Sequence, residues 1–313
     1  MKDRVITGLL LVAVAIAMLM VQFFVPYIFD AFLLFVIILA TIEFCKLQTK
    51  AGKPVYNWCA IIVAISIYLD VIICSLLGIN ALYVFLIGLA ILLLAFLVVY
   101  FGNAWIFKKE LENDEFRNAT NMSVPEFNFF KTNNTFLGFL YPGFMLFFMY
   151  LLNHIDTLGF VNIATNFKDT HISLFALVLV FAISSLTDTF AMIFGCWLGK
   201  HKLCPKLSPK KSVEGALFGV LGGIVGAIVP YLIFNAIYPK AFAAIAFWQI
   251  LIVGFVGSFV CQAGDLYESY IKRKANVKDA GNFLRSHGGV LDRIDSIIFC
   301  APYIFFCLLL MIA

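Results

Sequence analysis

Between residues 81 and 101 the chain reads ALYVFLIGLAILLLAFLVVYF, without one charge or proline. That length matches the roughly 20 residues a helix needs to cross a hydrocarbon core about 30 Å thick. Backbone N–H and C=O groups find no water in lipid, so the run has to satisfy them internally, as a helix. Comparable runs recur along all 313 residues, and only 13% of residues are charged, with a mean hydropathy of +1.00. Soluble domains carry about a quarter charged residues. The chain is therefore expected to be an all-α, polytopic integral membrane protein.

Nine spans are expected, at approximately 6–25, 27–45, 58–77, 81–101, 136–154, 173–195, 216–237, 243–262 and 296–313. The first follows MKDR and has a core longer than a cleavable signal peptide's, so it reads as an uncleaved signal anchor. If the N-terminus is cytoplasmic, segments 1–5, 46–57, 102–135, 196–215 and 263–295 face the cytoplasm. These segments hold 20 of the 22 Lys and Arg, leaving Lys168 and Lys240 on the other side. The positive-inside rule then puts the N-terminus inside and the C-terminus outside. WIFKKELENDEF, at 105–116, reads as an interfacial helix. The chain divides into a plain half, 1–135, and a half dense in polar loops, 136–313. The eight cysteines show no CxxC pair and read as small core hydrophobes. The net charge of +4 is modest, and no nucleic-acid partner is expected.

Ionisable residues inside spans are functional candidates by default, because insertion costs about 2.5–3.5 kcal/mol at a helix centre. Asp30 and Glu43 lie near span ends and read as structural, and Asp70 stays open. Asp188 differs, because it sits among Ser184, Ser185, Thr187 and Thr189 in SSLTDTFAMIFG. Such a cluster faces a bundle interior or a wet cavity. The loop GKHKLCPKLSPKKSVEG (199–215) carries five lysines. Within it Ser208, Lys210 and Lys211 immediately precede a helix start, whose free amides suit a polyphosphate. Glycines 215, 219, 222, 223 and 226 then form overlapping small-xxx-small pairs, which serve close helix packing.

Next comes GDLYESYIKRKANVKDAGNFLRSHGGVLDRID (264–295). If helix continues through its first part, Asp265, Ser269 and Lys272 recur at i, i+4 and i+7 on one face, with Arg273 beside them. After His287-Gly288-Gly289, Asp292 and Asp295 share a face at i, i+3 and can hold one hard cation through oxygen. Residues 263–295 hold six basic and five acidic residues, a balance that suits metal and phosphates together. No zinc motif, P-loop or serine-hydrolase elbow occurs. Carboxylates for Mg²⁺ and cations for phosphate, set against lipid, point to an enzyme that joins a nucleotide to a lipid phosphate or moves a phosphate between them.

The run from Ser269 to Asp295 resembles the signature of the phosphatidate cytidylyltransferase family through Lys272-Arg273, Lys278-Asp279, Gly281, His287-Gly288-Gly289, Asp292-Arg293 and Asp295. DTFAMIFG and SPKKSVEG resemble two further blocks of that family, so the likeness covers about 184–296. The resemblance implies transfer of CMP from CTP to phosphatidic acid, giving CDP-diacylglycerol and pyrophosphate. It implies Mg²⁺, alone or with a second monovalent or divalent cation. Asp265, Asp292 and Asp295 would hold metal, and with Lys272 they would form the catalytic set. Ser208, Lys210, Lys211, Ser269, Arg273 and Arg293 would bind phosphates or substrate, Asp188 would line the same cavity, and His287 would have a positional role. The setting would be a bacterial inner membrane among its lipids, with the site facing the cytoplasm, in a monomer or a homodimer. A CTP-dependent lipid kinase and a membrane transporter are the alternatives.

Overall fold

A computed structural model of the chain describes residues 2–79, 81–106, 111–156, 171–243, 245–284 and 288–312. Helices α1 (Lys2–Phe24) and α2 (Pro26–Lys50) are joined at Val25, and Pro26 starts α2 where its missing N–H is harmless. Next come α3 (Asn57–Leu76) and α4 (Ala81–Ile106). The short α5 (Glu115–Thr120) leads to α6 (Val124–Gly138), a π-helical turn (Phe139–Phe144) and α7 (Met145–Asn153). Tyr141, held extended ahead of Pro142, breaks the helical path there.

The second half has α8 (Ile172–Leu198), the hairpin strands β1 (Lys202–Cys204) and β2 (Ser208–Ser212), and α9 (Val213–Ile237). The short α10 (Pro239–Phe242), α11 (Phe247–Lys274) and α12 (Leu291–Ile312) complete it. Helix α8 packs along α9, α9 on α11, α11 on α12, and α12 on α7. Among the described residues eight helical stretches are long and apolar enough to cross a membrane, and Ala13–Phe24 of α1 is a shorter apolar one. The protein is thus helical and polytopic. The hairpin is a small departure from all-α. Prolines 205 and 209 and Gly199 stop helix between α8 and α9, and two short strands carry the chain back.

Three boundaries differ from the hydropathy reading. The fifth span begins at Val124 instead of 136, so the 135/136 division falls inside α6. Ser123 and Glu126 form a capping box that starts this helix early. Its polar residues are buried against protein instead of facing water: Asn128 Nδ2 donates to Tyr100 O (2.9 Å) and Thr135 Oγ1 accepts the Tyr56 N–H (3.0 Å). Trp105 and Ile106 end α4, while residues 107–110 of the expected interfacial helix lie outside the described residues. Helix α11 does continue past 262. Its 28 residues reach about 42 Å, longer than the hydrocarbon core, so its last turns stand at headgroup level.

The glycine stripe works as packing. A Cβ on Gly226 would lie 2.7 Å from Ala182 O, and one on Gly215 2.6 Å from Ala191 O, both on α8. Gly223 meets α11 instead, with Ser258 Cβ 2.6 Å away. Gly226→Val is expected to destabilise the bundle by about 1–3 kcal/mol through overpacking, read as a lower thermal midpoint in detergent. An unchanged midpoint would contradict so close an approach.

Asp30, read as structural, is fully buried. It accepts from Asn153 Nδ2 (2.7 Å) and faces His154 Nε2 (2.6 Å), whose Nδ1 is 3.1 Å from Ser75 Oγ. Asp70 accepts from Cys74 Sγ (3.3 Å). Asp30 ties α2 to the end of α7, whereas the Asp70 contact stays within α3. All eight cysteines are free.

Candidate active site

Four elements bring the polar residues to one end of the bundle: α8 with Asp188, β2 with Lys211, α11 with Asp265 to Arg273, and the start of α12. Within β2 Lys211 is half-buried, whereas Lys210 is exposed. Lys211 Nζ lies 2.5 Å from Asp265 Oδ2. Ser212 caps α9, its Oγ accepting the Gly215 N–H at 3.2 Å. Across from Asp265, Ser296 on α12 donates its hydroxyl to Asp188 Oδ2 (3.1 Å), and its N–H meets Asp295 Oδ1 (2.8 Å). The chain closes tightly here, for a Cβ on Gly264 would lie 2.6 Å from Asp295 O. Asp188, Asp265 and Asp295 come close enough to repel one another.

A second group forms where α11 meets the loop after it. Lys272 bridges two carboxylates, Asp292 Oδ1 at 2.8 Å and Glu268 Oε2. Asp292 also accepts backbone N–H groups from the loop: Ala280 to Oδ2 at 2.9 Å and Gly289 to Oδ2 at 2.7 Å. Gly288, at φ +81°, carries the chain over this carboxylate in a conformation side chains resist. Asp292 is therefore the clasp of the loop. Glu268 is fully buried, its Oε2 paired with the Lys272 ammonium and its Oε1 without a hydrogen-bond partner. An unsatisfied group of that kind is costly unless something charged approaches it.

The expected residues sort accordingly. Asp265, Asp292 and Asp295 do not meet at one point, and among the described residues no three His, Cys, Asp or Glu side chains form a metal-holding group. Asp265 and Asp295 join Asp188, while Asp292 joins Glu268. Ser269 is buried beside Lys272 on α11. Arg273 is exposed and straps the hairpin, its Nε donating to Leu207 O at 3.1 Å. Ser208 opens β2 opposite Cys204, and Lys210 is exposed. Arg293 lies on the opposite side of α12's first turn, at the wall of an apolar cavity. His287 lies outside the described residues.

Two residues gain importance. Glu268 stands three residues after Asp265 and four before Lys272, a Glu-to-Lys spacing that pairs on a helix and was legible as such. Glu43, read as structural near a span end, is buried. Its Oε2 accepts the Leu291 N–H at 2.8 Å, and Gly281 and Gly289 press against its carboxylate. Its sequence signal was a carboxylate within a span. Its partner lies 248 positions away.

The fold and site define a helical membrane protein with carboxylates and lysines gathered at one end of its bundle. The sequence pattern of the cytidylyltransferase family matches residues 2–311, and the chain belongs to that family. It is 36% identical over 151 residues to a phosphatidate cytidylyltransferase of Staphylococcus saprophyticus, covering 46% of this chain and 52% of that one. It is 41% identical over 132 residues to one of Rickettsia prowazekii, covering 42% and 57%. A shorter stretch of 55 residues is 53% identical to one of Helicobacter pylori, covering 18% and 21%. The chain spans about half the length of the first two relatives.

Proposed function

We propose that the protein transfers CMP from CTP to phosphatidic acid, releasing pyrophosphate and forming CDP-diacylglycerol. The observation that carries this reading is the pairing of two neighbouring carboxylate groups, each with its own lysine, at one end of a membrane bundle. A phosphate oxygen of phosphatidate would attack the α-phosphorus of CTP. The bond from that phosphorus to the β-phosphate oxygen would break, and pyrophosphate would leave. The attacking oxygen is already ionised at neutral pH, so no protein base is required. The work left to the protein is positioning and charge neutralisation.

The donor chemistry suits a hard cation such as Mg²⁺, since Asp188, Asp265 and Asp295 offer only carboxylate oxygen, with the Lys211 ammonium paired to Asp265. One or two of these carboxylates would hold it together with substrate phosphates, and bound there it would neutralise phosphate charge. The assignment moves Asp292 out of the metal set, because its oxygens already clasp Lys272 and the loop. Lys211 would shift from Asp265 to substrate phosphate, as Lys272 would from Glu268. The distribution of Lys and Arg supports a cytoplasm-facing site with nine spans, N-terminus in and C-terminus out, and the bacterial relatives support a bacterial inner membrane.

The deciding assay supplies purified protein with CTP, Mg²⁺ and phosphatidate. Label from the α-phosphate should enter the lipid and label from the γ-phosphate should appear as pyrophosphate. Transfer of the γ-label to lipid would instead identify a lipid kinase. Within this reading Lys211→Ala should lower kcat/KM for CTP about 10²-fold, as loss of a charge-assisted contact implies. Lys210→Ala should change it less than threefold. Equal effects would contradict the half-buried and exposed placement of the two lysines.

A further inference from the structure

Beside the carboxylates, on the other side of α12, lies an apolar cavity of about 490 Å³ between α1, α2, α7, α8 and the loop before α12. Along α2 its wall runs from Phe29 through Leu33 and Val36 to Leu39, a rise of about 15 Å. It therefore descends from the level of the loop through about half a hydrocarbon core. Its lining is apolar except for Ser185 and Arg293. Both share a helix turn with the carboxylates: Ser185 precedes Asp188 by three residues, and Arg293 stands between Asp292 and Asp295. The loop that Asp292 clasps turns its other face here, with Phe283 and Leu284 in the wall and the Phe283 ring 6.2 Å from Phe35.

An occupant with its apolar part in this cavity has its polar end brought to Arg293, next to Asp292 and Asp295. A phosphate-bearing lipid has that shape: a chain for the cavity and an anion for the guanidinium. The far end is closed. Phe29 and Met149 are both buried, and each is followed by the polar knot of Asp30, Asn153 and His154. A longer chain would have to enter that knot and break its hydrogen bonds.

We propose that this cavity receives one acyl chain of the lipid substrate, and that Phe29 and Met149 set the longest chain it takes. The proposal rests on the phosphatidate reading above. Val36→Trp fills the cavity partway down, and Phe29→Ala deepens it. With CTP saturating, kcat/KM is measured for dihexanoyl and dioleoyl phosphatidate. Val36→Trp should lower the long-to-short ratio at least about tenfold, because each excluded methylene forfeits its transfer from water. Phe29→Ala should raise it. A defect in folding alone would lower both rates and leave the ratio unmoved. A ratio unchanged in both variants overturns the proposal and leaves the cavity to packing or to a bystander lipid.

A phosphatidate with a photoreactive group on its acyl chain supplies a readout independent of turnover. It should label residues 29–39 of α2 in wild type and not in Val36→Trp. Labelling elsewhere alone overturns the cavity, even if CDP-diacylglycerol is formed. Labelling on α2 without any CDP-lipid product would sustain the cavity and sink the proposed reaction.

Discussion

Asp292→Asn is expected to lower kcat/KM by about 10²-fold or more while the protein reaches the membrane in normal amount. One carboxylate here serves three donors: the Lys272 ammonium and the N–H groups of Ala280 and Gly289. Asparagine keeps the shape but replaces one acceptor oxygen with an NH₂, so a donor would face a donor. Removing one partner from a buried charged pair costs about 3–5 kcal/mol, and each 1.36 kcal/mol felt in the transition state is tenfold in rate. The rate loss follows from the loop, because the residues released from the clasp are those that set Lys272 and the start of α12. Turnover and membrane yield are measured on the same preparation. Activity within threefold of wild type would remove Asp292 from the site.

Gly289→Ala should be nearly as damaging, and for a reason outside the signature run. A Cβ at 289 would lie 2.7 Å from Glu43 Cδ and closer still to a carboxylate oxygen. Overpacking of this kind costs about 1–3 kcal/mol, enough to displace a loop whose placement depends on a few hydrogen bonds. Glu43→Ala alone should also reduce activity, because Leu291 N–H loses its acceptor. In the Glu43→Ala background, however, Gly289→Ala has room, and its added effect on kcat/KM should fall to nearly nothing. The double-mutant cycle would then show a coupling of about 1–2 kcal/mol, within the range for residues in contact. Strict additivity would show that the two do not touch in the working enzyme.

Both predictions concern a loop that was legible and a contact that was not. Asp265, Lys272, Asp292 and Asp295 stood out because charge is rare in this chain and these charges recur at helical spacing. Periodicity also placed Asp265 and Lys272 on one face, and α11 continues far enough to make that true. It could not say that Lys211 would come to Asp265 or that Lys272 would come to Asp292. Those pairings depend on how the hairpin folds back and where the loop crosses, neither of which has a period. The early start of α6 escaped hydropathy for a related reason. Its Asn and Thr side chains look solvated by composition, yet the tertiary fold gives them backbone partners on neighbouring segments.

By itself the sequence determined that the backbone must be helical in lipid, and that its rare carboxylates and lysines would be costly unless put to use. It determined too which short runs resemble a cytidylyltransferase. The tertiary structure decided the grouping: Asp188 and Ser296 across two helices, Glu268 beside Asp292, Glu43 beneath the loop glycines. Burial in lipid acts on every residue of a span alike and is written in composition. A hydrogen bond between residues 43 and 291 exists only once α2 and α12 have packed, and no local pattern encodes it.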